Sequence, residues 1–181
     1  MMYLKCIPNV FYQSIFESDY KKLQEQGIKT LFFDLDNTII SYNETELKPT
    51  DITFLKTLEK DFNILILSNS HKKRVVHACK ESGFAYIWSA KKQLAFGFKK
   101  ALRRMDAKRH QVAMIGDQLM TDIFGGNLIG FHTILVQAVQ RKSDKWITRI
   151  NRFVEKKMIK KIKKHEPLLY QERLEPYVER P

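Results

Sequence analysis

The chain has 181 residues, 44% of them hydrophobic and 12% aromatic, which suits one compact domain and excludes wholesale disorder. Its net charge of +12 is uneven: residues 141–165 hold eleven basic residues against Asp144 and Glu155, a local +9 that points to an anionic surface such as phospholipid, nucleic acid or ribosome. No apolar run approaches the roughly 20 residues needed to span a bilayer, residues 1–16 lack a secretory-signal pattern, and two distant cysteines, Cys6 and Cys79, make no disulfide framework, so a reducing cytoplasmic setting is expected.

Residues 1–28 read as a short entry strand or turn followed by a helix that stops at Gly27. Residues 29–34 form a short β-rich run, and residues 50–61 a helix with Ile52, Leu55 and Leu58 on one face. The continuous apolar run 63–67 predicts a second buried strand. A helix over 71–82, ending at Gly83, leads to a strand over 85–88. A helix follows over 92–105, then a strand over 112–115, a helix over 119–127 and a strand over 133–136. Strands that alternate with helices predict an α/β fold: a parallel sheet with helices on both faces. Three segments are expected: a core over 1–140, a basic amphipathic helix over 141–165 and, given Pro167 and Pro176, an irregular tail over 166–181.

Ligands of such sheets bind beyond the carboxyl ends of the strands. There the sequence places Asp34-Leu35-Asp36-Asn37-Thr38 after one strand, Ser68-Asn69-Ser70 after the next, and Gly116-Asp117 with Asp122 after a third. Any one fragment alone would be a turn or a helix cap. Together they form a carboxylate cluster that is costly unless a cation neutralises it, and oxygen-only ligands suit Mg²⁺.

These motifs resemble the haloacid dehalogenase (HAD) phosphatase superfamily: DxDxT after a strand, a Ser after the next, a Lys opening a helix, then GDxxxxD. The resemblance implies a capless, Rossmann-like HAD fold. It also implies Asp34 as the nucleophile that forms an aspartyl-phosphate, and Asp36 as general acid and base. Mg²⁺ would be held by Asp34, the carbonyl of Asp36, and Asp117, with Asp122 ligating or supporting it. Thr38 would brace the first loop, and Ser68, Asn69 and a lysine would bind phosphate. Lys92, 25 residues before Asp117, is favoured for that lysine over its neighbour Lys91; Gln93 stands where the family usually has proline.

Only 33 residues separate Asp34 from Ser68, and 23 separate Ser68 from Lys92, so neither gap holds a cap domain. A capless site is open to water and to large or surface-bound substrates. The stretch Gly116 to Asp122, with Gly125-Gly126-Asn127, Gly130-Phe131-His132-Thr133, the residues around Pro8 and the segment Arg149-Ile150-Asn151-Arg152, is similar to the YqeG family of type IIIA HAD phosphatases. That family's mitochondrial relatives include a phosphatidylglycerophosphate phosphatase. The resemblance therefore implies a phospholipid phosphate substrate and peripheral work at an anionic membrane.

The basic segment allows two readings. Trp146, Ile150, Phe153 or Val154, Met158 and Ile162 recur at steps of three to four among the lysines. Such a helix either lies in the headgroup layer of an anionic membrane or packs its apolar face on the sheet. A basic stripe also binds RNA through phosphates, but no nucleic-acid-recognition motif accompanies it.

Overall fold

Six apolar runs become the strands of one parallel sheet: β1 (Val10–Tyr12), β2 (Thr30–Phe33), β3 (Asn63–Leu67), β4 (Ala85–Ile87), β5 (Val112–Gly116) and β6 (His132–Val136). The computed structural model describes residues 1–140 and 146–179, and of residues 146–151 the helical backbone alone. The strand order is β1-β6-β5-β2-β3-β4. β2 therefore lies between β3 and β5, where the chain, having built one half of the sheet, crosses to the other. Phe33 is in register with both Ile66 and Ile115, so the three central strands end together. The entry segment supplies the edge strand β1, paired with β6.

Both faces of the sheet are apolar because parallel strands are buried on both sides. Successive residues point to opposite faces: Leu31 and Phe33 join one core, Phe32 another. On the first face lie α1 (Tyr20–Glu25), α2 (Pro49–Leu58) and α3 (Lys72–Cys79), through Leu23, Leu55, Val75 and Cys79. On the second lies α4 (Phe96–Arg104), through Phe98 and Ala101, with α5 (Phe124–Ile129) beside it.

The C-terminal segment forms α6 (Trp146–His165), α7 (Pro167–Arg173) and α8 (Glu175–Val178). The irregular tail expected over 166–181 is therefore corrected: its prolines stand in the first turn of α7 and α8, where the missing N–H costs nothing. Ile159 and Ile162 of α6 pack with Tyr170, Leu174 and Tyr177 onto Leu119, Ile123, Leu135 and Cys6. Of the apolar face read from the sequence, Ile162 is buried and Met158 packs against the same core, whereas Phe153 is exposed. The side chains of Trp146 and Ile150, and residues 141–145, lie outside the described residues. Over its described side chains α6 thus packs on the core and turns its lysines outward.

Candidate active site

The carboxyl ends of β2, β3 and β5 converge on four aspartates. Asp34 follows β2 directly, and its amide donates to the carbonyl of Ile115 (2.9 Å). The Thr38 hydroxyl donates to Asp34 Oδ2 (3.3 Å), and the Lys92 ammonium donates to Asp34 Oδ1. Two residues on, the loop turns through Asn37 at φ 65°, a left-handed conformation that asparagine tolerates. That turn directs Asp36 toward β3. There Asp36 Oδ2 accepts hydrogen bonds from the hydroxyls of Ser68 (3.0 Å) and Ser70 (2.7 Å). Arg74 of α3 pairs with Asp36 Oδ1 and also donates to the carbonyls of Glu44 (3.0 Å) and Ser41 (3.1 Å), tying the loop down.

Lys92 enters from the turn after β4. Ser89, Lys91 and Ala95 all adopt positive φ there (48°, 46° and 60°). For a residue with a Cβ the left-handed region costs on the order of 1–2 kcal/mol. The short 3₁₀ turn Lys92–Leu94 they enclose sends Lys92 inward, where it is fully buried, while Lys91 stays exposed. Its ammonium meets Asp34, Asp122 and the carbonyl of Leu67 (3.3 Å). Its amide donates to Asn69 Oδ1 (3.0 Å), so the Asn69 side chain holds the lysine turn in place.

Asp117 follows β5, and Asp122 sits on the wide turn Leu119–Ile123 that precedes α5. This turn has a π-type pattern where the sequence predicts an α-helix over 119–127. Asp122 Oδ2 accepts from the Gln118 amide (3.2 Å), which fixes the carboxylate against Gly116. A Cβ at position 116 would collide with that carboxylate, so only glycine fits. From the opposite side α6 reaches in. Arg152 pairs with Asp117 Oδ2 and donates to the Asp117 carbonyl (2.8 Å) and to the Tyr177 hydroxyl (2.7 Å). The Tyr177 hydroxyl donates to Glu155 Oε1 (2.7 Å), and Glu155 Oε2 accepts from the Leu119 amide (3.3 Å).

The electrostatics show an excess of negative charge. Among the described residues, Asp34, Asp36, Asp117, Asp122 and Glu155 face Lys92, Arg74 and Arg152, two fewer cations than carboxylates. Burial pushes the Asp34 carboxyl well above the ordinary carboxylate range. Lys92 pulls it back, while Asp122, Asp117 and Asp36 push the same way as burial. Burial pulls the Lys92 ammonium down, yet Asp122 and Asp34 outweigh it and hold it above its usual value. Asp34, Asp117 and Asp122 are all buried and present carboxylate oxygens within 4.8 Å of one another. A hard, oxygen-preferring divalent cation fits that donor set and that deficit.

Of the residues singled out from the sequence, the structure brings Asp34, Lys92, Asp117 and Asp122 into one cluster, with Asp36 and Ser68 bonded to each other beside it. The Asp36 carboxylate is not in the three-aspartate group; it faces Ser68, Ser70 and Arg74. Sequence reading missed Arg74, Arg152, Glu155 and Tyr177. A cue for two of them was available: Arg152 and Glu155 are in helical phase with Ile159 and Ile162, on the inward stripe instead of the lysine face.

Similarities to known proteins bear on this arrangement. A family model described as HAD-hydrolase-like matches residues 92–151. The chain is 35% identical over 167 residues to the "Probable phosphatase YqeG" of Bacillus subtilis (strain 168), covering 92% of this chain and 96% of the relative. It is 25% identical over 167 residues to an Arabidopsis thaliana protein named phosphatidylglycerophosphate phosphatase 1, covering 86% of this chain but 47% of that longer protein. A solved structure of an uncharacterized Listeria monocytogenes serotype 4b protein shares the fold at TM-score 0.52 and 16% identity, over 65% of this chain and 85% of that one.

Proposed function

The chain belongs to the YqeG family of HAD-like phosphatases, and from that premise we propose that it is a Mg²⁺-dependent phosphomonoesterase acting through an aspartyl-phosphate on a phospholipid head group. The observation that carries the chemistry is Asp34, gripped by Thr38 and Lys92 beside Asp117 and Asp122 at the open ends of the strands. Asp34 attacks phosphorus in line, forming a phosphorus–oxygen bond as the bond to the leaving oxygen breaks. Lys92 offsets charge on the phosphoryl oxygens, and Ser68 and the amide of Asn69 take a further oxygen when the Ser68 hydroxyl swings from Asp36. Asp36 delivers a proton to the leaving oxygen and later accepts one from the attacking water. Arg74, Ser68 and Ser70 keep its carboxyl pointed for that exchange. Asp34, Asp117 and Asp122, with the carbonyl of Asp36, would hold Mg²⁺, which supplies positive charge to draw phosphate and nucleophile together.

The lipid substrate, with phosphatidylglycerophosphate first among candidates, draws support from the named activity of the Arabidopsis relative and from the basic surface of the chain. The capless site also admits a phosphate presented on a surface. Among the described residues no helix is long and apolar enough to cross a membrane. Contact with an anionic leaflet is therefore proposed as peripheral, on its cytoplasmic side. The test is phosphate release from phosphatidylglycerophosphate in mixed micelles beside a soluble aryl phosphate, each with Mg²⁺ and with EDTA. Metal-dependent release far faster from the lipid supports the full reading. Release from the soluble ester alone would keep the phosphatase and discard the lipid, leaving a soluble or protein-bound phosphate.

A further inference from the structure

The turn that buries Lys92 does the opposite to its apolar neighbours. Lys92 is 2% exposed, whereas Leu94 is 64% and Phe96 62% exposed. Ser89, Lys91 and Ala95, in left-handed backbone, hold this inversion in place. A segment that takes on backbone strain to hide a lysine and present a leucine and a phenylalanine is shaped for something outside the molecule.

The charge around the pair says what. Residues 88–105 contain no Asp or Glu, and Lys91, Lys99, Lys100 and Arg104 are exposed there. Trp88 is half-buried, with the ammonium groups of Lys72 and Lys100 over its ring at 5.3 and 5.6 Å. Exposed apolar side chains set between lysines along the chain, with Trp88 under one of the flanking ammonium groups, match the layering of an anionic bilayer surface: hydrocarbon below, acidic head groups around. A nucleic acid would reward the lysines and the rings but gains little from an exposed leucine.

We infer that Leu94 and Phe96, flanked by Lys91, Lys99 and Lys100, form the element that docks the open end of the sheet on an anionic lipid surface. The inference rests on the lipid reading above and relocates its anchor. The apolar side of α6, which one reading of the sequence lays in the headgroup layer, is occupied over its described side chains by Leu119, Ile123 and Tyr177. Docking through the Lys92 turn needs no separate tether. The Asn69–Gln93 side-chain contact (3.4 Å) and the Lys92 ammonium belong to the same turn, so insertion of its tip sets the phosphate site at head-group level.

The test is the double variant Leu94→Ser with Phe96→Ser in the full chain. It is read by flotation with phosphatidylglycerol–phosphatidylcholine vesicles free of substrate. The expected result is at least ten-fold weaker partitioning, with the melting midpoint and the hydrolysis of a soluble aryl phosphate unchanged. Vesicle binding equal to wild type, or wild-type protein that ignores the vesicles, would overturn the inference. So would loss in the variant of a lipid-independent self-association. The two readings separate cleanly. If wild type binds vesicles through this pair yet leaves phosphatidylglycerophosphate intact, docking stands and the substrate falls. If micellar phosphatidylglycerophosphate is hydrolysed and the variant binds vesicles normally, the substrate stands and the docking element falls.

Discussion

Arg152, on the C-terminal helix α6, holds Asp117, at the end of the central strand β5, by both its carboxylate and its main-chain oxygen. The helix that looks in sequence like an appended basic tail is therefore built into the aspartate cluster. Removing the guanidinium takes these two contacts from Asp117 and its contacts from Tyr177 and Glu155. We expect Arg152→Ala to weaken Mg²⁺ binding, measured by calorimetry, by roughly ten- to a hundred-fold, with kcat falling on lipid and soluble esters alike. Arg152→Lys should recover part of the affinity, since an ammonium can still orient Asp117 through one contact but lacks the forked geometry. An Arg152→Ala protein that binds the metal as wild type does would remove Arg152 from the site.

Truncation tests the same union from the side of stability. Ending the chain at residue 140 strips Ile159, Ile162, Tyr170, Leu174 and Tyr177 from the core that covers Leu119 and Leu135. Each such side chain contributes about 1.5–3 kcal/mol on burial, against a total domain stability of roughly 5–15 kcal/mol. The truncated chain should show no cooperative melting transition by circular dichroism. A sharp transition near the wild-type midpoint would mean that α6–α8 are dispensable to the fold.

The clustered carboxylates of Asp34, Asp117 and Asp122 predict stabilisation by a divalent cation. Mg²⁺ binds the folded cluster and not the unfolded chain, so at a hundred-fold excess over its Kd it should add about 2.7 kcal/mol and raise the melting midpoint. In Asp117→Asn or Asp122→Asn that rise should shrink or vanish, while the metal-free midpoint should hold or increase as like-charge repulsion falls. Equal Mg²⁺ shifts in wild type and variants would place the ion elsewhere.

The two buried thiols offer a test of the packing around the sheet. Burial, with a smaller push from Glu155, raises Cys6 to about 11, and burial with a push from Asp36 raises Cys79 to about 12. The thiolate is the reactive form, so at pH 8 no more than about one part in a thousand of either is poised to react. Iodoacetamide at pH 8 should leave both unmodified in the native protein and label both in denaturant. Rapid native labelling of Cys79 would show that α3 opens far more readily than its packing implies.

Much of the fold was legible in the sequence because buried parallel strands read as continuous apolar runs. The segment 63–67 coincides with β3, and 133–136 misses β6 by one residue. The aspartates were legible because the strand ends fix where such groups meet. Other features depend on tertiary contacts that local pattern does not encode. The helix read over 92–105 breaks at Ala95 because Lys92 must turn inward, and the one over 119–127 opens into a wide turn to seat Asp122 against Gly116. Pro167 and Pro176 were read as disruptors of the tail, yet each starts a helix, since nothing local distinguishes a first-turn proline from a breaker. As for Arg74 and Arg152, only the folded chain brings each to its aspartate across more than thirty residues of sequence.

In the mechanism proposed above, Asp34 carries the phosphoryl group during turnover. Mass spectrometry of the protein mixed with an aryl phosphate and Mg²⁺ and quenched in acid within a single turnover tests this. One added phosphoryl group is expected, confined to the peptide that contains Asp34, and no such adduct in Asp34→Asn, which should also show no turnover. An Asp34→Asn protein that still releases phosphate at an appreciable fraction of the wild-type rate, or an adduct on another residue, would contradict it.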